Sequence, residues 1–190
     1  QGKIYNALIV APKGVYDNWV SKEIPTHLPD HVPYDIVKWQ SNHTKSFQKE
    51  LKVIYSSDFN LKILVMNIEA FSTKKGVEFA NKFLQLSKSI FVIDESTTIK
   101  NQDAKRTANC VRLGKYAYYR RILTGSPVTK SPLDLYSQCM FLNPALLGFS
   151  SYYSFRARYA DMVEKSGQGR TFKFVTGYKN MDELNELLTK

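Results

Sequence analysis

The sequence predicts an α/β domain, a mostly parallel sheet with helices on both faces, and two observations predict it. Short runs that are apolar at every position, not only at alternate ones, mark strands buried on both sides. Between them lie longer stretches with apolar residues at helical spacing. Strand and helix therefore alternate, and such alternation joins parallel neighbours through crossover helices.

Residues 7–11 (Ala-Leu-Ile-Val-Ala) give the first strand, and Val15, Trp19, Val20 and Ile24 then fall on one helical face. Residues 34–39 read as a strand at a sheet edge, because Pro33 cannot donate to a ladder. Phe47, Leu51 and Ile54 set a helix, residues 62–67 a strand, and Val77, Ala80, Phe83 and Leu84 the next helix. Residues 89–94 (Ser-Ile-Phe-Val-Ile-Asp) form a strand, Ala104, Ala108 and Val111 a helix, and residues 121–124 the last strand. After Pro127 the strands are expected to stop. Ser131, Pro132 and Asp134 supply an N-cap, a first-turn proline and an early acid for a helix reaching Leu142. Residues 148–158 are aromatic and basic, residues 167–169 (Gly-Gln-Gly) read as a flexible break, and residues 180–183 cap a last helix carrying Met181, Leu184, Leu187 and Leu188.

With 190 residues, 43% of them hydrophobic, the chain can bury a sizeable core as one domain. Its aliphatic runs are far shorter than a membrane span, so no membrane partner is expected. The start, Gln-Gly-Lys-Ile-Tyr, lacks the pattern of a signal peptide, and two cysteines, Cys110 and Cys139, make no disulfide framework. Both cysteines read as core residues in an intracellular, reducing setting. Net charge is +10, and residues 96–131 hold eight basic side chains against one acid. That excess fits a polyanionic partner, although a solvated basic face would look the same.

In an open parallel sheet, ligands bind beyond the carboxyl ends of the strands. This gathers residues 11–13, 67–69, 94–97 and 124–127 on one rim. There a hydrophobic strand delivers two adjacent carboxylates, Asp94 and Glu95, which would repel unless a cation or a proton transfer uses them. Mg²⁺ suits such a pair, since it takes one or two carboxylates and completes its shell with waters and phosphate oxygens. Alone, Asp-Glu after a strand is weakly specific, and a solvated strand end explains it as well.

Downstream, Ile-Lys-Asn at 99–101 and Leu-Thr-Gly-Ser-Pro at 123–127 sharpen the pattern. The succession Ala-Leu-Ile-Val-Ala-Pro, Val-Ile-Asp-Glu-Ser-Thr-Thr-Ile-Lys-Asn and Leu-Thr-Gly-Ser-Pro-Val resembles the superfamily-two helicases, especially the Swi/Snf-like double-stranded DNA translocases. The match runs on through Leu135, Tyr136, residues 141–144, Leu147, Gly148 and Phe155, and residues 177–184 look like the stretch that closes this lobe. The resemblance implies the first RecA-like lobe of a DNA-dependent ATPase that uses ATP and Mg²⁺. Asp94 would hold Mg²⁺ through water and Glu95 would be the catalytic base. Thr97, Thr124, Gly125 and Ser126 would couple hydrolysis to lobe movement. Pro12, Lys13, Asn67, Lys100 and Asn101 would lie along double-stranded DNA. A second RecA-like lobe of the same parent chain would be the other partner.

Two departures stand against the family's pattern. Where the acids are commonly followed by Ala-His, this chain has Ser96-Thr97, and a threonine hydroxyl can hydrogen-bond but carries no imidazolium charge. This variant is associated with bacteriophage or bacterial relatives, and so with a cytoplasmic setting. Secondly, the chain holds no Gly-x-x-x-x-Gly-Lys followed by Ser or Thr to cradle phosphates. The expectation is an N-terminally incomplete lobe over residues 1–190, with a core at 4–147 and a helical, aromatic extension at 148–190. It would be inactive alone, with residues 121–124 as an exposed edge open to self-association.

Other readings fare worse. Ser126 lacks the second glycine of a nucleophile elbow and no histidine follows it. His27, His31 and His43 lack zinc-site spacing and read as surface residues. Trp19 and Trp39 could stack on bases, but helical spacing makes Trp19 core. The rival to a motor is a non-catalytic module that binds nucleic acid or docks a protein on the same fold.

Overall fold

A computed structural model describes residues 3–56, 59–167 and 170–189. Strands β1 (Asn6–Ala11), β2 (Tyr34–Lys38), β3 (Leu61–Asn67), β4 (Ser89–Asp94) and β5 (Tyr119–Leu123) form one sheet in the order β2-β3-β1-β4-β5. Every pairing in it is parallel. β1 is central and buried along its whole length, which is why its sequence is apolar on both faces. Its polar member, Asn6, is satisfied by donating from Nδ2 to the Phe83 carbonyl at 3.1 Å.

Four helices cover one face: α3 (Lys45–Ile54), α4 (Lys74–Leu84), α5 (Lys105–Gly114) and α6 (Leu135–Leu142). Thr44 and Thr73 cap α3 and α4 by accepting from the N–H groups of Phe47 and Gly76. Ser131 accepts from the Leu133 N–H at the short turn before α6. Phe47, Phe83, Cys110 and Phe141 meet Leu8, Val10, Phe91 and Ile93 in the main core. The opposite face, Ala7, Ile9, Ile63 and Val65, is covered by one segment bearing Trp19, Val20 and Ile24. That segment is α1 (Tyr16–Asn18), a π-helical turn (Trp19–Glu23) and α2 (Ile24–His27), so the helix expected there is locally widened at its middle.

β2 lies at an edge, as Pro33 implies, and β5 forms the other edge. β5 begins at Tyr119, two residues before the expected Arg121, because Tyr119 and Arg120 pair in register with Ile90 and Phe91. The expectation that strands stop after Pro127 is wrong. Beyond α7 (Tyr152–Tyr159), β6 (Ala160–Gly167) and β7 (Arg170–Tyr178) form an antiparallel hairpin, followed by α8 (Met181–Thr189). The apolar-basic-apolar alternation at Phe172, Lys173 and Phe174 was a strand signal. Of the expected flexible break, Gln168 and Gly169 lie outside the described residues.

A second core joins Leu133, Tyr136, Cys139, Leu147, Phe155, Tyr159 and Leu184. The Tyr159 hydroxyl donates to Glu183 at 2.9 Å and Arg158 pairs with the same carboxylate, tying α7 to α8. Cys110 and Cys139 are free and buried, and burial pushes the Cys139 thiol up to about 11 and that of Cys110 higher still. Among the described residues no helix is long and apolar enough to cross a membrane.

Candidate functional site

Because the five strands run the same way, their carboxyl ends form one rim. Strand register sets Ala11 beside Asn67 and Asp94 beside Leu123, with Val10 paired to Ile93 between them. The polar residues that follow these positions therefore share one edge of the sheet.

Asp94 ends β4 half-buried. Its Oδ1 accepts from the Glu95 N–H at 2.9 Å and its Oδ2 from the indole N–H of Trp19 at 2.8 Å. Two donors fix the plane of this carboxylate and leave further lone pairs for water. Trp19 packs against the sheet as its spacing implied, yet it also orients an acid 75 positions away in sequence. No local pattern carries that second role.

Glu95 turns the chain out of β4 with a left-handed backbone, φ 49° and ψ 64°. Such a conformation costs a residue with a Cβ about 1–2 kcal/mol. The turn aims its exposed carboxylate along the rim. Oε1 accepts from Thr97 Oγ1 at 2.6 Å and from Thr124 Oγ1 at 3.3 Å. Ser126 joins them by donating its N–H to Thr124 Oγ1 at 3.2 Å, while its hydroxyl donates to the Val128 carbonyl at 2.7 Å. Gly125, between them, faces open space.

Asp94, Glu95, Thr97, Thr124 and Ser126 thus stand together although two strands supply them. Chemically, such an arrangement can order a cation's water shell at one carboxylate and accept a proton at the next. Among the described residues no three His, Cys, Asp or Glu side chains converge on a metal position. A cation at Asp94 would therefore complete its shell with waters and ligand oxygens, the habit of Mg²⁺.

Behind the acids, Ser96 is fully buried and its hydroxyl donates to Gln138 Oε1 at 2.5 Å. Gln138 Nε2 donates in turn to the carbonyls of Pro127 at 2.7 Å and Asp134 at 2.9 Å. One buried amide from α6 therefore clamps the segment after β4 to the loop after β5. Its only signal in the sequence is a glutamine inside an otherwise apolar helical stretch. Gln138→Leu leaves a buried hydroxyl and a carbonyl without partners, and the expected loss of stability in urea unfolding is about 1–3 kcal/mol. A loss below about 0.5 kcal/mol, within the range of an ordinary surface change, would mean that the clamp contributes nothing.

The five residues matched to a nucleic-acid track fall into two groups. Lys13 is exposed, and it lines a cavity of about 410 Å³ together with Asn67, Tyr16, Trp39 and Thr73. Asn67 also caps the turn Ile68–Ser72, its Oδ1 accepting from the Ala70 N–H at 2.9 Å. The Pro12 carbonyl accepts from the N–H groups of Val15 and Tyr16 at 2.9 and 3.0 Å, starting the covering helix.

Lys100 and Asn101 lie apart from these, along a second cavity of about 360 Å³ shared with Tyr152, Val175 and Tyr178. The Lys100 amine is engaged internally: it donates to Thr129 Oγ1 and stands 3.8 Å from Asp134 Oδ2. Burial alone would push the Asp134 carboxyl up. The N–H groups of Lys130 and Thr129, the Thr129 hydroxyl and the charge of Lys100 outweigh it and hold the carboxyl below its ordinary value. Asn101 is exposed, with Oδ1 accepting from the Asp103 N–H at 3.0 Å. His27, His31 and His43 are exposed.

Comparison with known proteins gives consistent results. A family model described as SNF2-related domain matches residues 1–190. A Drosophila melanogaster protein named SWI/SNF-related matrix-associated actin-dependent regulator of chromatin subfamily A-like protein 1 is 28% identical over 98% of this chain and 23% of its own length. An Aspergillus terreus protein named chromatin-remodeling ATPase INO80 is 25% identical over 86% of this chain and 9% of its own length. The chain thus spans under a quarter of these curated relatives. Among solved structures, the Sulfolobus solfataricus SWI2/SNF2 ATPase core in complex with dsDNA matches with a TM-score of 0.55 at 25% identity, over 82% of this chain and 28% of that one.

Proposed function

The chain belongs to the SNF2-related domain family, and from that membership we propose that it is the Walker B half of the first motor lobe of an ATP-driven translocase on double-stranded DNA. The observation that carries the proposal is the convergence of Thr97 and Thr124 on the Glu95 carboxylate beside Asp94. In this reading Asp94 would hold Mg²⁺ through water, with Trp19 keeping its carboxylate oriented. The ion supplies charge neutralisation on the phosphates when bound. Glu95 takes the proton of the attacking water. Thr97, Thr124, Gly125 and Ser126 report the state of Glu95 to the loop that meets the second lobe.

A phosphate-cradling loop and that second lobe would both have to come from outside these 190 residues, so the chain alone is expected not to turn over ATP. Residues 4–147 would form the core of the lobe and residues 148–190 its extension. The Ser96-Thr97 variant supports a bacterial or phage source and a cytoplasmic setting. A second reading, a non-catalytic binding module, draws on the same Thr97, which replaces an imidazole with an uncharged hydroxyl.

DNA is proposed to lie along Pro12, Lys13 and Asn67, with Lys100 and Asn101 further along the rim. Titration of the chain on a duplex at two salt concentrations tests this. Affinity should fall steeply with salt, and Lys13→Ala should reduce the slope of log K against log salt by about one. Binding without salt dependence would sink the DNA reading. Sedimentation of the same samples reads the proposed self-association along the β5 edge, where Leu123 is 41% exposed.

A further inference from the structure

The β6–β7 hairpin has two unlike faces, set by its register. On one, Met162 packs against the second core, Glu164 pairs with Lys173 at 2.8 Å, and Val175 lines the cavity that holds Lys100 and Asn101. On the other, Val163 stands opposite Phe174 and Lys165 opposite Phe172. These apolar side chains face water: Val163 is 44%, Phe172 50% and Phe174 49% exposed, and the two phenyl rings sit 6.4 Å apart.

The charge on the hairpin is one-sided. Its acids Asp161 and Glu164 are each neutralised, by Lys179 at 3.3 Å and by Lys173. Lys165 stands opposite Phe172, and among the described residues no ion pair engages it. An aromatic pair beside a cation suits a polyanion that also offers apolar edges, which a duplex groove presents as thymine methyls between its phosphate backbones. A two-stranded ribbon is also of a size that a duplex groove admits. The opposite face of the hairpin borders Lys100 and Asn101 through the shared cavity, so the hairpin as a whole stands at one end of the proposed track.

We propose that the Val163, Lys165, Phe172 and Phe174 face is a second DNA contact, laid in a groove of the duplex with the rings against its apolar edges and Lys165 at a phosphate. It rests on the DNA reading above and extends it to a surface off the sheet rim. The test compares the unaltered chain with the double variant Phe172→Ser and Phe174→Ser, and with Lys165→Glu. Each is titrated on a labelled duplex by fluorescence anisotropy at low and moderate salt, with circular dichroism and thermal melting confirming that it is folded.

The double variant is expected to weaken binding at least about tenfold, the scale of losing contacts to base edges in a groove. Lys165→Glu should weaken binding and flatten the salt dependence. If the unaltered chain binds no duplex, the DNA reading itself fails and takes this inference with it. If the unaltered chain binds with salt dependence and the hairpin variants bind equally well, only this inference is overturned. Variants that abolish self-association in sedimentation while leaving duplex affinity unchanged would assign the face to a second copy of the chain, and would overturn it too.

Discussion

Glu95→Gln, placed in a polypeptide that joins this chain to a phosphate-binding loop and a second motor lobe, is expected to lower ATP turnover by about 10²–10⁴-fold. Nucleotide binding should stay within a few-fold of the unaltered protein. The amide keeps the size of the side chain and an oxygen that Thr97 and Thr124 can still donate to, so the clustered geometry survives. What it loses is the capacity to take a proton. Phosphate release under saturating nucleotide and duplex DNA measures the first quantity, and equilibrium nucleotide titration the second. A variant retaining a tenth or more of the turnover would show that Glu95 is not the base. Unaltered turnover of zero in the same polypeptide, with DNA affinity intact, would favour the non-catalytic module.

Phe91→Ala should cost about 3–5 kcal/mol. Phe91 is fully buried three residues before Asp94, its ring edge-on to Phe141 at 4.9 Å and stacked with Phe71 at 5.8 Å. Both partners come from elements packed on the same side of the sheet, and a methyl group cannot fill the space between them. A domain of this kind has about 5–15 kcal/mol in total, so one substitution removes a large share of it. Urea unfolding should show a lower midpoint at an unchanged slope. A loss under about 1 kcal/mol would mean that α5 and α6 collapse into the space.

What was legible in the sequence and what was not divides along physical lines. β1 and β3 are apolar on both faces because both faces are covered, β4 has one face buried and the other, with Ile90 and Val92, half-covered, and Pro33 placed β2 at an edge. β5 was misread at its start, since Tyr119 and Arg120 look like a loop until their pairing with β4 is known. The hairpin was missed for the opposite reason: Val163, Phe172 and Phe174 face water, so the link between apolarity and burial that guides such reading is inverted on that face. At the site, Asp94, Glu95, Thr97, Thr124 and Ser126 could be gathered because parallel strands deliver their ends to one rim.

Trp19 and Gln138 could not be gathered in the same way. Each acts on a residue brought near only by tertiary packing, at separations of 75 and 42 positions. Lys100 was matched to a DNA track by local pattern, which carries no sign that Thr129 and Asp134 already engage its amine. Asn67 likewise holds a cap that short-range pattern can suggest only once the following turn is known.

The left-handed backbone at Glu95 sets the fold and the chemistry in opposition. Glycine would occupy that conformation without steric cost, and asparagine at little. Selection for stability alone would therefore drift toward either residue at this point, erasing the acid while improving the lobe. Under the proposed role as base, a glutamate at this position is kept by the chemistry and not by folding. In a set of thermally improved variants of this domain, position 95 is where greater robustness and lost work would arrive in the same substitution.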